Sequence, residues 1–187
     1  MKDNGKYIGK IGELVEKIET KRLILRKLGE EDAKMIFDGW ANDEEVTKYL
    51  TWHPHENIKV TEDILAGWIK DYEEEGCYRY GIELKDEKKL IGMIDVVEYD
   101  GDIPEIGYAL SKSYWNKGYM SEAFVAFLNL IKNQGHKKIY IESDENNHAS
   151  KAIIKKNGFK FLGKDTKIKS EFKKEKVTED TYVLGVE

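Results

Sequence analysis

Two short segments carry residue types arranged for chemistry. The first is Trp115-Asn116-Lys117-Gly118-Tyr119-Met120, between a strand-like stretch at 105–110 and a long amphipathic helix. A strand that turns through such a loop into a helix leaves several backbone N–H groups without partners. The positive end of the helix dipole adds to their field, which makes a cradle for a phosphate or pyrophosphate. It is no Walker loop, since no Gly-Lys-Ser/Thr follows a four-residue gap, and the dinucleotide G-x-G-x-x-G is absent. Alone, the loop reads equally as a turn eased by Gly118. The second segment is Asn147-His148-Ala149-Ser150, opening a short helix that closes at Lys156-Asn157-Gly158-Phe159. Asn147 suits an N-cap and Ser150 falls at N3, so a plain capped helix start accounts for it too.

The elements that must position these segments are marked by periodicity. Behind the loop, Phe124, Phe127, Leu128 and Ile131 fall at i, i+3, i+4, i+7, and Gly135 supplies a C′ stop. In the strand before the loop, Ile106, Tyr108 and Leu110 share one face, with Glu105, Gly107 and Ala109 on the other. Further strands are predicted at 23–26, 78–84, 90–97, 138–143, 159–162 and 182–186. Short helices are predicted at 32–40 and 44–50, and a longer one capped by Thr61 and ended by Gly76. Ile8, Ile11, Leu14, Val15 and Ile18 form one helical stripe, so residues 1–18 read as an extension, a short helix or arm, ahead of a single domain at 19–187. The order describes a mixed α/β (α+β) layer with an antiparallel front half.

Composition narrows the function. A chain of 187 residues, 40% hydrophobic and 36% charged, suits one soluble globular domain. A net charge of −5 argues against nucleic acid as the main ligand, although 164–176 is locally basic. The single cysteine, Cys77, excludes an internal disulfide and a thiolate zinc site and fits a reducing cytoplasm; it reads as a buried or half-buried small residue. The longest apolar run, 123–128, is far short of the ~20 residues of a membrane helix, so no membrane association is expected. His53 and His55 in Trp52-His53-Pro54-His55 lack a nearby third ligand, so a polar loop is expected there, and no metal. Trp40, Trp68 and Trp115 read as core or pocket-wall residues.

In this order, a strand, an anion loop with its helix, a second strand, then N-x-x-S on a helix ending K-x-G-F resemble the GCN5-related N-acetyltransferase (GNAT) superfamily. Glu19-Thr20-Lys21-Arg22-Leu23-Ile24-Leu25-Arg26, Glu105-Ile106-Gly107-Tyr108 and Tyr114 through Ala123 are similar to its RimJ/RimL-type subgroup, the ribosomal-protein N-terminal acetyltransferases and their relatives. The likeness runs from about Glu19 to the C-terminus. The superfamily's loop pattern is Gln/Arg-x-x-Gly-x-Gly/Ala, whereas this chain has Trp115 first and Met120 last. Trp in the first position is familiar for the subgroup. Met120 must point away from the phosphates, which backbone N–H groups hold in any case.

The resemblance implies a GNAT fold, a mostly antiparallel sheet of six to seven strands flanked by helices and splayed where acetyl-CoA binds. Acetyl-CoA would be the acetyl donor, held by Leu110, Ser111, Trp115, Asn116, Lys117, Gly118, Tyr119, Met120, Ser121, Asn147 and Ser150. It makes Glu105 the general base, with an ion-paired, solvent-facing strand residue as the alternative, and Ser150 the group that protonates the leaving thiolate. Trp52, His53 and Glu105 would shape the acceptor side. The acceptor would be a small-molecule amine or a protein N-terminus, and the acidic balance favours a cationic one. A catalytically silent CoA-binding module and a purely structural domain are the competing readings; monomer and homodimer both stay open.

Overall fold

A computed structural model describes residues 15–74 and 76–186 of the chain. Eight strands form one sheet in the order β1-β2-β3-β4-β5-β6-β8-β7. They are β1 Lys17–Glu19, β2 Leu23–Arg26, β3 Arg79–Leu84, β4 Lys89–Asp100, β5 Ile103–Leu110, β6 Lys138–Asp144, β7 Lys160–Ile168 and β8 Lys176–Gly185. The helices are α1 Ala33–Ile36, α2 Glu44–Thr47, α3 Ile58–Asp71, α4 Tyr119–Lys132 and α5 His148–Lys156. Every neighbouring pair is antiparallel except β5 and β6, which the α4 crossover makes parallel.

That parallel pair is the feature that matters for function. A single register position, Glu105 opposite Tyr140, joins β5 to β6, and past it no ladder pairing links the two strands among the described residues. One face of the sheet packs Leu25, Tyr80, Ile82, Ile106, Ile139 and Ile141 under Phe124, Phe127 and Ile131 of α4 and Ile154 of α5. The other packs Leu90, Met93 and Ala109 under Ile36, Trp40 and Leu65 from α1–α3 and their connections. Strand β4 lies between both cores, which is why its sequence is a nearly unbroken apolar run rather than an alternating one.

Several expectations are corrected. Asn57, not Thr61, caps α3, its Oδ1 accepting from the Val60 N–H at 3.4 Å. Thr61 is instead buried and bonded to His55 Nδ1 at 2.8 Å. Helix α3 ends at Asp71, and Gly76 lies in the turn beyond it with φ +85°. The stretch read as one helix at 32–40 is a 3₁₀ turn, α1, and a wider π-type turn over Phe37–Ala41 closed by Asn42 N–H to Phe37 C=O at 3.2 Å. The helical stripe of the extension stops short: Ile18 lies in β1, paired with Leu25, and crosses the expected domain boundary. Ile8, Ile11 and Leu14 fall outside the described residues. Strand β1 also brings the sheet to eight strands, one more than the upper expectation. Among the described residues no helix is long and apolar enough to cross a membrane.

Candidate active site

The loop after β5 is held open by its backbone. Asn116 (φ 58°) and Gly118 (φ 77°) both adopt the left-handed conformation, and Gly118 is the N-cap of α4. The first helical bond runs from Glu122 N–H to Gly118 C=O. The N–H groups of residues 116–121 therefore find no backbone acceptor among the described residues. Met120 is buried in the core beneath the loop, so its bulk stays out of the cradle.

Arg22, which the sequence reading passed over, fastens this loop to β2. Its Nη1 donates to the Lys117 carbonyl at 3.0 Å, its Nε to Glu122 Oε2 at 2.7 Å, and its guanidinium lies 4.3 Å from the centre of the Tyr119 ring. Glu122 Oε1 also accepts from the Arg22 N–H and from Thr20 Oγ1 at 2.8 and 2.6 Å. Burial alone would raise the Glu122 carboxyl, but these hydrogen bonds and the Arg22 charge hold it below its ordinary value. Arg22 and Glu122 lie 100 residues apart, so no local pattern joins them.

Past Glu105 the edge of β5 that faces β6 is open. Ser111 N–H bonds to Ile91 C=O at 2.8 Å, so by two-residue alternation Ala109 and Gly107 also face β4, while Leu110 and Tyr108 face the gap. The Trp115 indole N–H takes the Leu110 carbonyl at 2.7 Å. Of the two residues expected to bind the donor along this edge, Ser111 thus has its amide engaged within the sheet and Leu110 offers only its N–H. A Cβ at Gly107 would lie 2.5 Å from Val97 Cγ1, so any larger residue there would push the exposed Val97 side chain aside.

The chemistry-bearing side chains flank the gap. Glu105 stands where the strands part, half-buried and without a hydrogen-bond or ion-pair partner among the described residues. The ion-paired alternative is thereby corrected. Burial, then the Glu142 charge, pushes its carboxyl up to about 7 against the opposing pull of Lys167. On the opposite face Tyr108 Oη lies 2.8 Å from Ser150 Oγ, and burial pushes the phenol up to about 12. Asn147 Oδ1 accepts from Ser150 N–H at 3.1 Å, as an N-cap should. The partnership of Tyr108 with Ser150 was also missed, because alternation gives a residue's face and not its neighbour.

The Glu105 face continues across the far half of the sheet as a ladder of alternating charges. Lys167 bridges Glu142 and Glu179, and Lys169, its side chain 1% exposed, lies 3.4 Å from Glu179. The connection between β7 and β8 then reaches over to the segment after α2. Ser170 Oγ donates to the Thr51 carbonyl, and Lys173 Nζ donates to those of Thr47 and Lys48, each at 3.2 Å. Trp52 follows directly, half-buried, its indole N–H unpartnered among the described residues. His53 is exposed, with no hydrogen bond or ion pair among the described residues. The 51–57 segment is an irregular loop in which His55 is buried against the Thr61 hydroxyl, and burial lowers its pKa. Cys77 is half-buried and burial raises its thiol.

The site thus brings together a loop of unpartnered N–H groups, a parallel strand pair joined at one position and a raised carboxyl at that position. Residues 22–160 match the family model described as an acetyltransferase (GNAT) domain. The uncharacterized N-acetyltransferase YoaA of Bacillus subtilis is 32% identical over 149 residues, covering 78% of this chain and 84% of that protein. The crystal structure of a GNAT-family acetyltransferase from Bacillus anthracis superposes with a TM-score of 0.77 at 25% identity, covering 90% of this chain and 98% of that one. RimL, the ribosomal L7/L12 alpha-N-protein acetyltransferase in complex with coenzyme A, shares the fold with a TM-score of 0.77 at 20% identity, over 89% of this chain and 96% of its own. The family model spans most of the chain and the cradle, the split strands and Ser150 all lie within it: this protein belongs to the GNAT acetyltransferase family.

Proposed function

We propose that the protein transfers the acetyl group of acetyl-CoA to a primary amine by direct attack on the thioester. The observation that carries this reading is Glu105, an unpartnered carboxyl pushed up to about 7 at the point where β5 and β6 separate. A base that titrates near the working pH is suited to accept a proton from an amine. The residues fit the donor. The free N–H groups of 116–121, with Lys117, match a pyrophosphate, and the open edge at Tyr108 and Leu110 can pair with the amides of a pantetheine arm.

Two protons leave the acceptor nitrogen between ammonium and amide. Glu105 takes them, directly or through a water, shedding the first to solvent before accepting the second. As the nitrogen–carbon bond forms the carbon–sulfur bond breaks, and its electron pair leaves on the sulfur, near Ser150. The ladder Glu142–Lys167–Glu179–Lys169 balances its own charge, so Glu105, with Glu98 opposite it on β4, is left as negative charge to meet the incoming cation. The fold shared with RimL supports a protein N-terminus as one acceptor class, beside small amines. The test is a panel of amines and short peptides with varied first residues, scored by release of free CoA thiol. Acceptor-dependent release is expected; acetyl-CoA binding without it would mean a silent CoA-binding module.

A further inference from the structure

The hydroxyl pair on the α4/α5 side of the gap carries more than an acid assignment. Tyr108 Oη and Ser150 Oγ are 2.8 Å apart, and each has one hydrogen to give. Were Ser150 the donor, the phenol hydrogen would be left with the Ser150 carbonyl at 3.5 Å, beyond normal O–H···O reach. With Tyr108 donating, the half-buried phenol is satisfied and the Ser150 hydrogen is the one left over, with no acceptor among the described residues. Both groups are fixed from behind. The Tyr108 ring packs edge-on against Phe124, centroids 5.7 Å apart, and Asn147 caps the turn that carries Ser150.

We infer that Tyr108 is a positioning residue: by donating its O–H to Ser150 Oγ it turns the one free Ser150 hydrogen toward the sulfur of the acyl donor. The inference rests on the acetyl-transfer reading above and changes the part that the family resemblance implied for Ser150. Ser150 becomes a hydrogen-bond donor to the departing thiolate and not its proton source. A phenol near 12 and a serine hydroxyl keep their protons against a thiolate whose thiol titrates near ~8.5. No proton leaves either hydroxyl; the protons shed by nitrogen go to Glu105, and the sulfur keeps its pair as thiolate.

The test uses the full chain with CoA itself as probe. Titrating the bound thiol by its ultraviolet thiolate absorbance should show it ionising at lower pH than free CoA. Tyr108→Phe should return most of that shift, and Ser150→Ala, which leaves the Tyr108 ring packed, should abolish it. In the amine reaction Tyr108→Phe should lower kcat about ten-fold, the loss of roughly one net hydrogen bond, with the KM for acetyl-CoA unchanged. Added to Ser150→Ala it should cost nothing more, because Tyr108 acts through Ser150. A bound-thiol titration that Tyr108→Phe leaves unmoved, or losses in kcat that multiply in the double variant, would overturn the inference. A wild-type protein that binds CoA yet never releases thiol sinks the transfer reading alone, since the bound-thiol titration still decides the hydrogen bond. No binding of CoA sinks both.

Discussion

At the scale of single residues, Glu105 is held at the expense of stability. Its carboxyl is pushed from an ordinary 4.5 up to about 7 by burial and the neighbouring Glu142 charge. A raised carboxyl binds its proton more tightly folded than unfolded, so its contribution to stability falls as pH rises from about 4.5 to about 7. Glu105→Gln should therefore raise the melting temperature at pH 8 relative to wild type and leave it nearly unchanged at pH 4. The same group must be ionised to accept a proton, so wild-type kcat/KM should climb with pH to a midpoint near 7. Glu105→Gln should lower kcat by about 100-fold, as loss of a general base does, and erase that limb. A variant with an unchanged acid limb would remove Glu105 from the chemistry.

At the scale of elements, each part of the site is set by a departure from regular structure. β5 and β6 part at Glu105, and the register between β4 and β5 shifts at Val97, directly opposite, a bulge that re-aims the strand where it leaves the ladder. The anion loop depends on two left-handed residues and on the Arg22–Glu122 fastening. Arg22→Ala frees the Lys117 carbonyl and strips Glu122 of its charge partner, so the loop must be ordered by the ligand itself. Acetyl-CoA should bind about ten-fold more weakly by calorimetry, roughly the worth of one charge-assisted hydrogen bond, while the far-ultraviolet spectrum stays the same. An unchanged Kd would show that the cradle needs no such fastening.

At the scale of the whole molecule, the two sides of the reaction are built by different parts of the chain. The donor side is the β5–α4–β6–α5 run, contiguous in sequence. In the reading proposed above, the acceptor side is the segment after α2, which the β7–β8 connection holds through Lys173, 126 positions along the chain from the Thr47 carbonyl it bonds. Lys173→Met should free that connection while leaving the cradle intact. The KM of the amine should rise several-fold and the Kd of acetyl-CoA stay constant; a change in the donor constant instead would show that the two sides are not separable.

The sequence by itself determined the run of elements from β5 to α5. Loop, helix, strand and capped helix follow one another along 105–158, so their periodicities, their glycines and the Asn147 cap could be read without knowing what lies across the sheet. Tertiary structure alone decided the rest. Val15 and Ile18 carried a helical period yet Ile18 became a strand, because pairing with β2 outweighs local preference. Thr61 looked like a cap, but its hydroxyl went to a buried histidine six residues away. Arg22 on Glu122, Tyr108 on Ser150, and Lys173 on α2 are pairings across the fold. So too is the pKa of Glu105, which depends on Glu142 and Lys167 from other strands. Local pattern encodes hydrogen bonds that close within a few residues, whereas burial and charge are summed over neighbours that only folding brings together.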